Sequence, residues 1–187
     1  MARPRTFDES DVLARARDLF WQKGFAATSI SDLERATGLK RTSLYAAFGS
    51  KQELYLRTLA EYQQMAGTQI DRTFNSPKNG LENIRNLLQN SIEQAYADPH
   101  LRGCFLSNAA SERGGQCPTT TGFLNGNREK MIERFQKQLR NADFGGDATA
   151  TANYLFVLYS GLMNIVRTGA DKKDVLAALE TGLIVLE

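Results

Sequence analysis

Apolar residues recur three and four apart along almost the whole chain, and no stretch alternates with the two-residue period of a half-buried strand. That periodicity restricts the chain to helices, and the punctuation between them is legible. Asp8 precedes a stripe of Val12, Leu13, Ala16, Leu19 and Phe20 that stops at Gly24. Ser29 and Ser50 each open a capping box, closed three residues later by Asp32 and Glu53. The first box starts a helix running to about Thr37, with Gly38 suited to its C-terminal cap. The second starts a long helix over 50–74, and Lys40 to Ala47 form a very short one between them, closed by Gly49. Further on, the spacing predicts helices from Leu81 to the Asp98-Pro99 stop, over Gly103–Arg113, Thr119–Arg140 and Ala148–Thr168, and a last one capped by Asp171. The expectation is an all-α fold of about nine helices. No segment approaches the roughly 18 uninterrupted apolar residues of a membrane span.

The net charge of +2 hides an asymmetry. Residues 1–51 hold nine Lys/Arg against six Asp/Glu, and the remaining 136 residues hold fourteen against fifteen, so the positive excess lies in the first quarter. A polyanion would meet that end.

Two short helices joined by Thr37-Gly38-Leu39-Lys40 have the form of a helix-turn-helix, whose second helix enters the major groove of DNA. The short helix over 40–47 has few apolar residues. Leu44 and Phe48, four apart, can anchor it, which leaves Arg41, Thr42, Ser43 and Tyr45 for other uses. Arg41 has the donor fork for guanine O6 and N7, and Thr42 or Ser43 can meet a base edge or a thymine methyl. Tyr45 and Lys51 have the reach for phosphate oxygens. Ser29 and Ser31 stand where the free N–H groups of a helix start favour an anion.

In order and spacing, Gly24-Phe25-Ala26-Ala27-Thr28-Ser29-Ile30, Asp32-Leu33, Ala36-Thr37-Gly38-Leu39, Ser43-Leu44-Tyr45-Ala46-Ala47-Phe48 and Ser50-Lys51-Gln52-Glu53-Leu54 resemble the DNA-binding domain of the tetracycline-repressor (TetR) family of bacterial transcriptional regulators. The resemblance covers residues 8–60. It implies that Lys40 to Tyr45 form the recognition helix and that Tyr45 and Lys51 hold the DNA backbone. It also implies that Arg3 and Arg5 belong to a basic arm. The division it suggests is a DNA-binding domain over 1–51, with the helix over 50–74 leading onward, and a helical ligand-binding and dimerisation domain over 52–187.

Beyond about residue 65 only the helical architecture is implied. The last two long helices are apolar around much of their circumference, through Tyr154 to Tyr159, Leu162, Met163, Ile165 and Val166, then Leu176, Leu179 and Leu183 to Leu186. Such helices are either deeply buried or paired with another subunit. The expectation is a homodimer through these helices that binds a palindromic operator in double-stranded DNA, since half-sites then lie about 34 Å apart. An unknown small-molecule inducer, apolar or aromatic, is expected among Phe105, Asn108, Phe123, Met131, Phe135, Tyr154 and Tyr159, with Asn125 and Asn164 as further polar groups.

Cys104 and Cys117 are too few for a disulfide framework, and with one histidine, His100, they do not make a tetrahedral zinc site. No metal or cofactor is expected. Arg102-Gly103-Cys104-Phe105-Leu106-Ser107-Asn108 resembles a segment of one branch of the family, some of whose members sense electrophiles or oxidants through cysteine, so both cysteines are candidate thiol sensors: Arg102, Arg113 and a helix start near Cys104 can lower its pKa, and Cys117 lies in a Gly-rich loop. The competing classes are an enzyme and a protein-interaction module. The first lacks a Gly-rich phosphate loop and any nucleophile beside a carboxylate pair. The start MARPRTFDESD has no apolar signal segment, so a cytoplasmic chain is expected.

Overall fold

The computed structural model describes residues 7–186. Among them are nine α-helices and no strand: α1 (Glu9–Lys23), α2 (Ile30–Thr37), α3 (Arg41–Phe48), α4 (Lys51–Phe74), α5 (Gly80–Ala97), α6 (Phe105–Arg113), α7 (Pro118–Asn141), α8 (Ala148–Arg167) and α9 (Lys172–Leu183), followed by one 3-10 turn at Ile184–Leu186. Arg3 and Arg5 lie outside the described residues.

The chain divides into two compact units between Gln64 and Met65, inside α4. The boundary drawn from the sequence falls thirteen residues earlier because the first turns of α4 belong to the core of the N-terminal unit. Phe20, Leu33, Leu44, Phe48, Leu54, Tyr55 and Leu59 are buried together there. Phe20 and Phe25 both meet the ring of Tyr55 with centroids 5.0 Å apart, and Trp21 meets Tyr62 at the same separation.

In the C-terminal unit α7 lies along α8, and α5 packs on α7, α8 and α9. A buried polar chain fixes the α4–α5 turn to α7. Ser76 Oγ donates to Asn83 Oδ1 at 2.6 Å, Asn83 Nδ2 donates to Gln138 Oε1 at 3.2 Å, and Gln138 Nε2 donates to the Phe74 carbonyl at 3.1 Å. Each group left unpaired in such a site costs about 1–3 kcal/mol, so the chain acts as a specific lock as well as a hydrophobic contact. Phe74 and Phe135 add an edge contact with centroids 6.0 Å apart.

Several helix limits differ from the sequence expectation for local reasons. The short helix runs over Arg41–Phe48, one residue later than 40–47, because Lys40 is extended (φ −69°, ψ 152°) and serves as its N-cap. Helix α6 starts at Phe105 and not Gly103, whose φ of +65° lies outside a right-handed helix. Gly103 also lets the chain pass against α8, where a Cβ would stand 2.5 Å from the Met163 carbonyl oxygen. Pro118 opens α7, a position that needs no N–H.

Candidate nucleic-acid interface

The interface is built on α2, the turn and α3. Ser29 is the N-cap of α2: the Asp32 N–H donates to its Oγ at 3.0 Å, while the Ser29 N–H and hydroxyl donate to Asp32 Oδ2 at 3.0 and 2.8 Å. These bonds, with Lys23 and Arg35 beside them, hold the Asp32 carboxyl well below the usual carboxylate range. The hydroxyl of Ser29 is therefore engaged within the protein, and an internal carboxylate already stands at this helix start. Ser31 is exposed. Helix α2 ends at Gly38, left-handed at φ +74°, whose N–H donates to the Glu34 carbonyl at 2.9 Å. Only glycine adopts that conformation without strain, and it permits the sharp turn into α3.

Leu44 and Phe48 are the buried residues of α3, each 2% exposed. Full burial of such a side chain is worth about 1.5–3 kcal/mol. The anchor occupies one edge of the helix, and Lys40, Arg41, Thr42 and Ser43 are all exposed. Tyr45 is half-buried, and the Arg41 guanidinium lies 5.3 Å from its ring centroid. Lys51 begins α4, where the helix dipole disfavours a cation. The ring of Phe25, 4.3 Å from its Nζ, supplies an offsetting attraction. The second capping box lies beside it: the Ser50 N–H donates to Glu53 Oε2 at 2.7 Å, and the Glu53 N–H to Ser50 Oγ at 3.1 Å.

One contact at this turn joins residues far apart in the local pattern. The Arg41 N–H, the first of α3, donates to Glu34 Oε1 at 2.8 Å. Local pattern does not reveal this, because the acceptor lies seven residues back, on the other side of the turn.

The other expected site residues are spread through the C-terminal unit. Phe105, Met131 and Phe135 are buried, and Phe123 and Tyr159 are half-buried. Asn108 is 5% exposed; its Nδ2 donates to the Arg102 carbonyl at 2.8 Å, and its buried Oδ1 has no hydrogen-bond partner among the described residues. Tyr154 does not join this interior group: it is 39% exposed on α8, and its hydroxyl donates to the Gly182 carbonyl at 2.9 Å. Asn125 is exposed, and Asn164 donates to the Ser160 carbonyl of its own helix. Cys104 is buried. Cys117 is half-buried at the start of α7, and the first-turn N–H and hydroxyl of Thr120, with the charge of Arg113, favour its thiolate. Among the described residues no three His, Cys, Asp or Glu gather to hold a metal, and no helix is long and apolar enough to cross a membrane.

A short helix anchored along one edge and displaying an arginine and hydroxyls on its free faces, led in by a glycine turn, defines a helix-turn-helix DNA-binding protein. Residues 12–58 match the family described as bacterial regulatory proteins, tetR family. The chain belongs to the TetR family and is a DNA-binding transcriptional regulator. It is 26% identical to the HTH-type transcriptional regulator YezE of Bacillus subtilis (strain 168), with 100% of each chain covered. It is 28% identical to the HTH-type transcriptional repressor ComR of Escherichia coli (strain K12), over 97% of this chain and 90% of the relative. Among solved structures it is similar to a cysteine mutant of the TetR family regulator CifR complexed with 26 bp double-strand operator DNA. The TM-score is 0.86 and the identity 28%, with 97% of this chain and 98% of that chain covered.

Proposed function

We propose that the protein is a dimeric repressor that binds a palindromic operator through α3 and leaves it when a small molecule enters the C-terminal unit. The observation that carries this reading is the display of Lys40, Arg41, Thr42 and Ser43 beyond the buried Leu44 and Phe48. Arg41 reads guanine and the hydroxyls read the neighbouring base edges. Tyr45, Lys51 and Ser31 position the module on phosphates. The repressor name of ComR and the operator complex of CifR point the same way.

The dimer reading rests on an apolar face. Val157 (67% exposed) and Ile165 (49%) on α8 line a groove of about 280 Å³ between α8 and α9, and Ile184 (60%) and Val185 (45%) after α9 are exposed as well. A two-fold partner would cover this face and fix the separation of the two α3 helices. The C-terminal unit thus serves both pairing and inducer binding. Asn108 Oδ1 is a buried acceptor suited to an inducer bearing an O–H or N–H group. Release requires an inducer that binds one arrangement of the dimer more tightly than the other.

Selection of duplexes from randomised inverted repeats, followed by binding of Arg41→Ala, tests the reading. The substitution is expected to relax preference at one base pair per half-site, about 1–3 kcal/mol. Unchanged preference refutes the role of α3.

A second reading, thiol sensing, is favoured at Cys117 and not at Cys104. Cys117 combines partial exposure with an environment that favours the thiolate. In that reading, modification by an electrophile replaces inducer binding as the release signal.

A further inference from the structure

Among the helix starts, those of α3, α6 and α7 have no side-chain cap from their own N-cap residue, and that of α3 takes its acceptor from another helix. In α1, α2, α5, α8 and α9 the N-cap residue itself, Asp8, Ser29, Asn79, Asp147 or Asp171, accepts from a first-turn N–H. The N-cap of α3 is Lys40, which has donors only and makes no cap. Helix starts leave backbone N–H groups without intrahelical partners, and a missing side-chain cap typically costs a helix about 1 kcal/mol. Here the Arg41 N–H finds its acceptor in Glu34 Oε1, on α2. Thus a side chain of the supporting helix holds the first turn of the reading helix, where Arg41, Thr42 and Ser43 lie.

Glu34 also lines a concavity of about 510 Å³ with Ser31, Arg35, Gly38, Leu39 and Lys40. On the reading of α3 given above, this surface approaches DNA. A carboxylate there repels phosphates wherever the protein lands. One of its oxygens serves the cap, and the other has no hydrogen-bond partner among the described residues.

We infer that Glu34 is a positioning residue for sequence recognition: its bond to the Arg41 N–H fixes the start of α3, and its charge weakens binding to DNA at large, so that together they widen the gap between operator and other sequences. The inference rests on α3 being the recognition helix.

Two substitutions separate the two effects. Glu34→Gln removes the charge and keeps an acceptor oxygen, whereas Glu34→Ala removes both. The probes are a duplex recovered by selection from randomised inverted repeats and a scrambled duplex of equal length, titrated by fluorescence anisotropy at several salt concentrations with the full chain. Both variants are expected to bind the scrambled duplex several-fold more tightly than the parent, with a salt slope steeper by about one. On the selected duplex, E34A is expected to bind about fivefold more weakly than E34Q, the effect of one lost cap. Placing K40S in both chains supplies a local cap oxygen, and the E34A-to-E34Q gap should then close to within about twofold. An E34A chain that folds only together with K40S is the same result at larger amplitude. Equal binding of E34A and E34Q to the selected duplex, or a gap that persists with K40S, overturns the inference. R41A, run alongside, keeps the two readings apart. If it leaves preference unchanged, the role of α3 falls; if it relaxes preference while the Glu34 variants match, only the role of Glu34 falls.

Discussion

Val157→Asp tests the apolar face of α8 most directly. Full burial of a valine side chain is worth about 1.5–3 kcal/mol. With 67% of Val157 still exposed in the single chain, a partner stands to remove about two-thirds of that, or ~1–2 kcal/mol per copy. A two-fold interface counts each residue twice, so the lost apolar contribution alone is ~2–4 kcal/mol. The carboxylates add the penalty of stripping water from unpaired charges, effectively several kcal/mol per buried ion. Even a lower bound of about 4 kcal/mol moves the dimer dissociation constant by roughly three decades. Sedimentation equilibrium from nanomolar to tens of micromolar reads this shift, and Ile165→Asp, 49% exposed two turns further along α8, repeats it independently. Circular dichroism is expected to be unchanged, because neither side chain belongs to the single-chain core. If both variants retain the parent dissociation constant, or the parent is monomeric throughout, this face does not pair two copies.

Other outcomes follow from single sites. Lys51→Ala is expected to weaken selected and scrambled duplexes alike and to reduce the salt slope by about one, as measured by anisotropy titration. Gly80→Ala should lower the thermal midpoint by about 3–10 °C in a melting scan. Its Cβ would stand 2.1 Å from the Gln138 carbonyl oxygen, and overpacking of this kind costs about 1–3 kcal/mol despite the better helix propensity of alanine. Cys117 should react with iodoacetamide faster than Cys104 at neutral pH. Because its pKa is lowered, its rate should rise with pH through a midpoint below that of an ordinary thiol, and Thr120→Val should move that midpoint upward. Peptide mapping after timed labelling reads both effects; equal rates at the two cysteines contradict the assignment.

The parts of the molecule that sequence reveals are those governed by neighbours within four residues. The boxes at Ser29–Asp32 and Ser50–Glu53, the stop at Gly38 and the Leu44/Phe48 pair are of this kind, and each is present. Contacts across a turn are not visible. Glu34 looks like one more charged residue on α2 until the fold brings it to the Arg41 N–H. Direction is also hidden in α8, where apolar residues occur all round. Periodicity there does not distinguish Leu155, buried against the interior, from Tyr154, turned toward Gly182 and solvent. Ser29 shows the converse limit: its capping box is legible, but the donation of its hydroxyl hydrogen to the Asp32 carboxylate depends on rotamers.

The two-residue anchor of α3 bears on how such proteins diverge. With only Leu44 and Phe48 committed to the interior, the outward positions of this segment can mutate while the scaffold keeps its folding free energy. Target-site drift is then nearly free of any stability penalty, so duplicated copies of the gene can acquire new addresses on a chromosome by a few point changes.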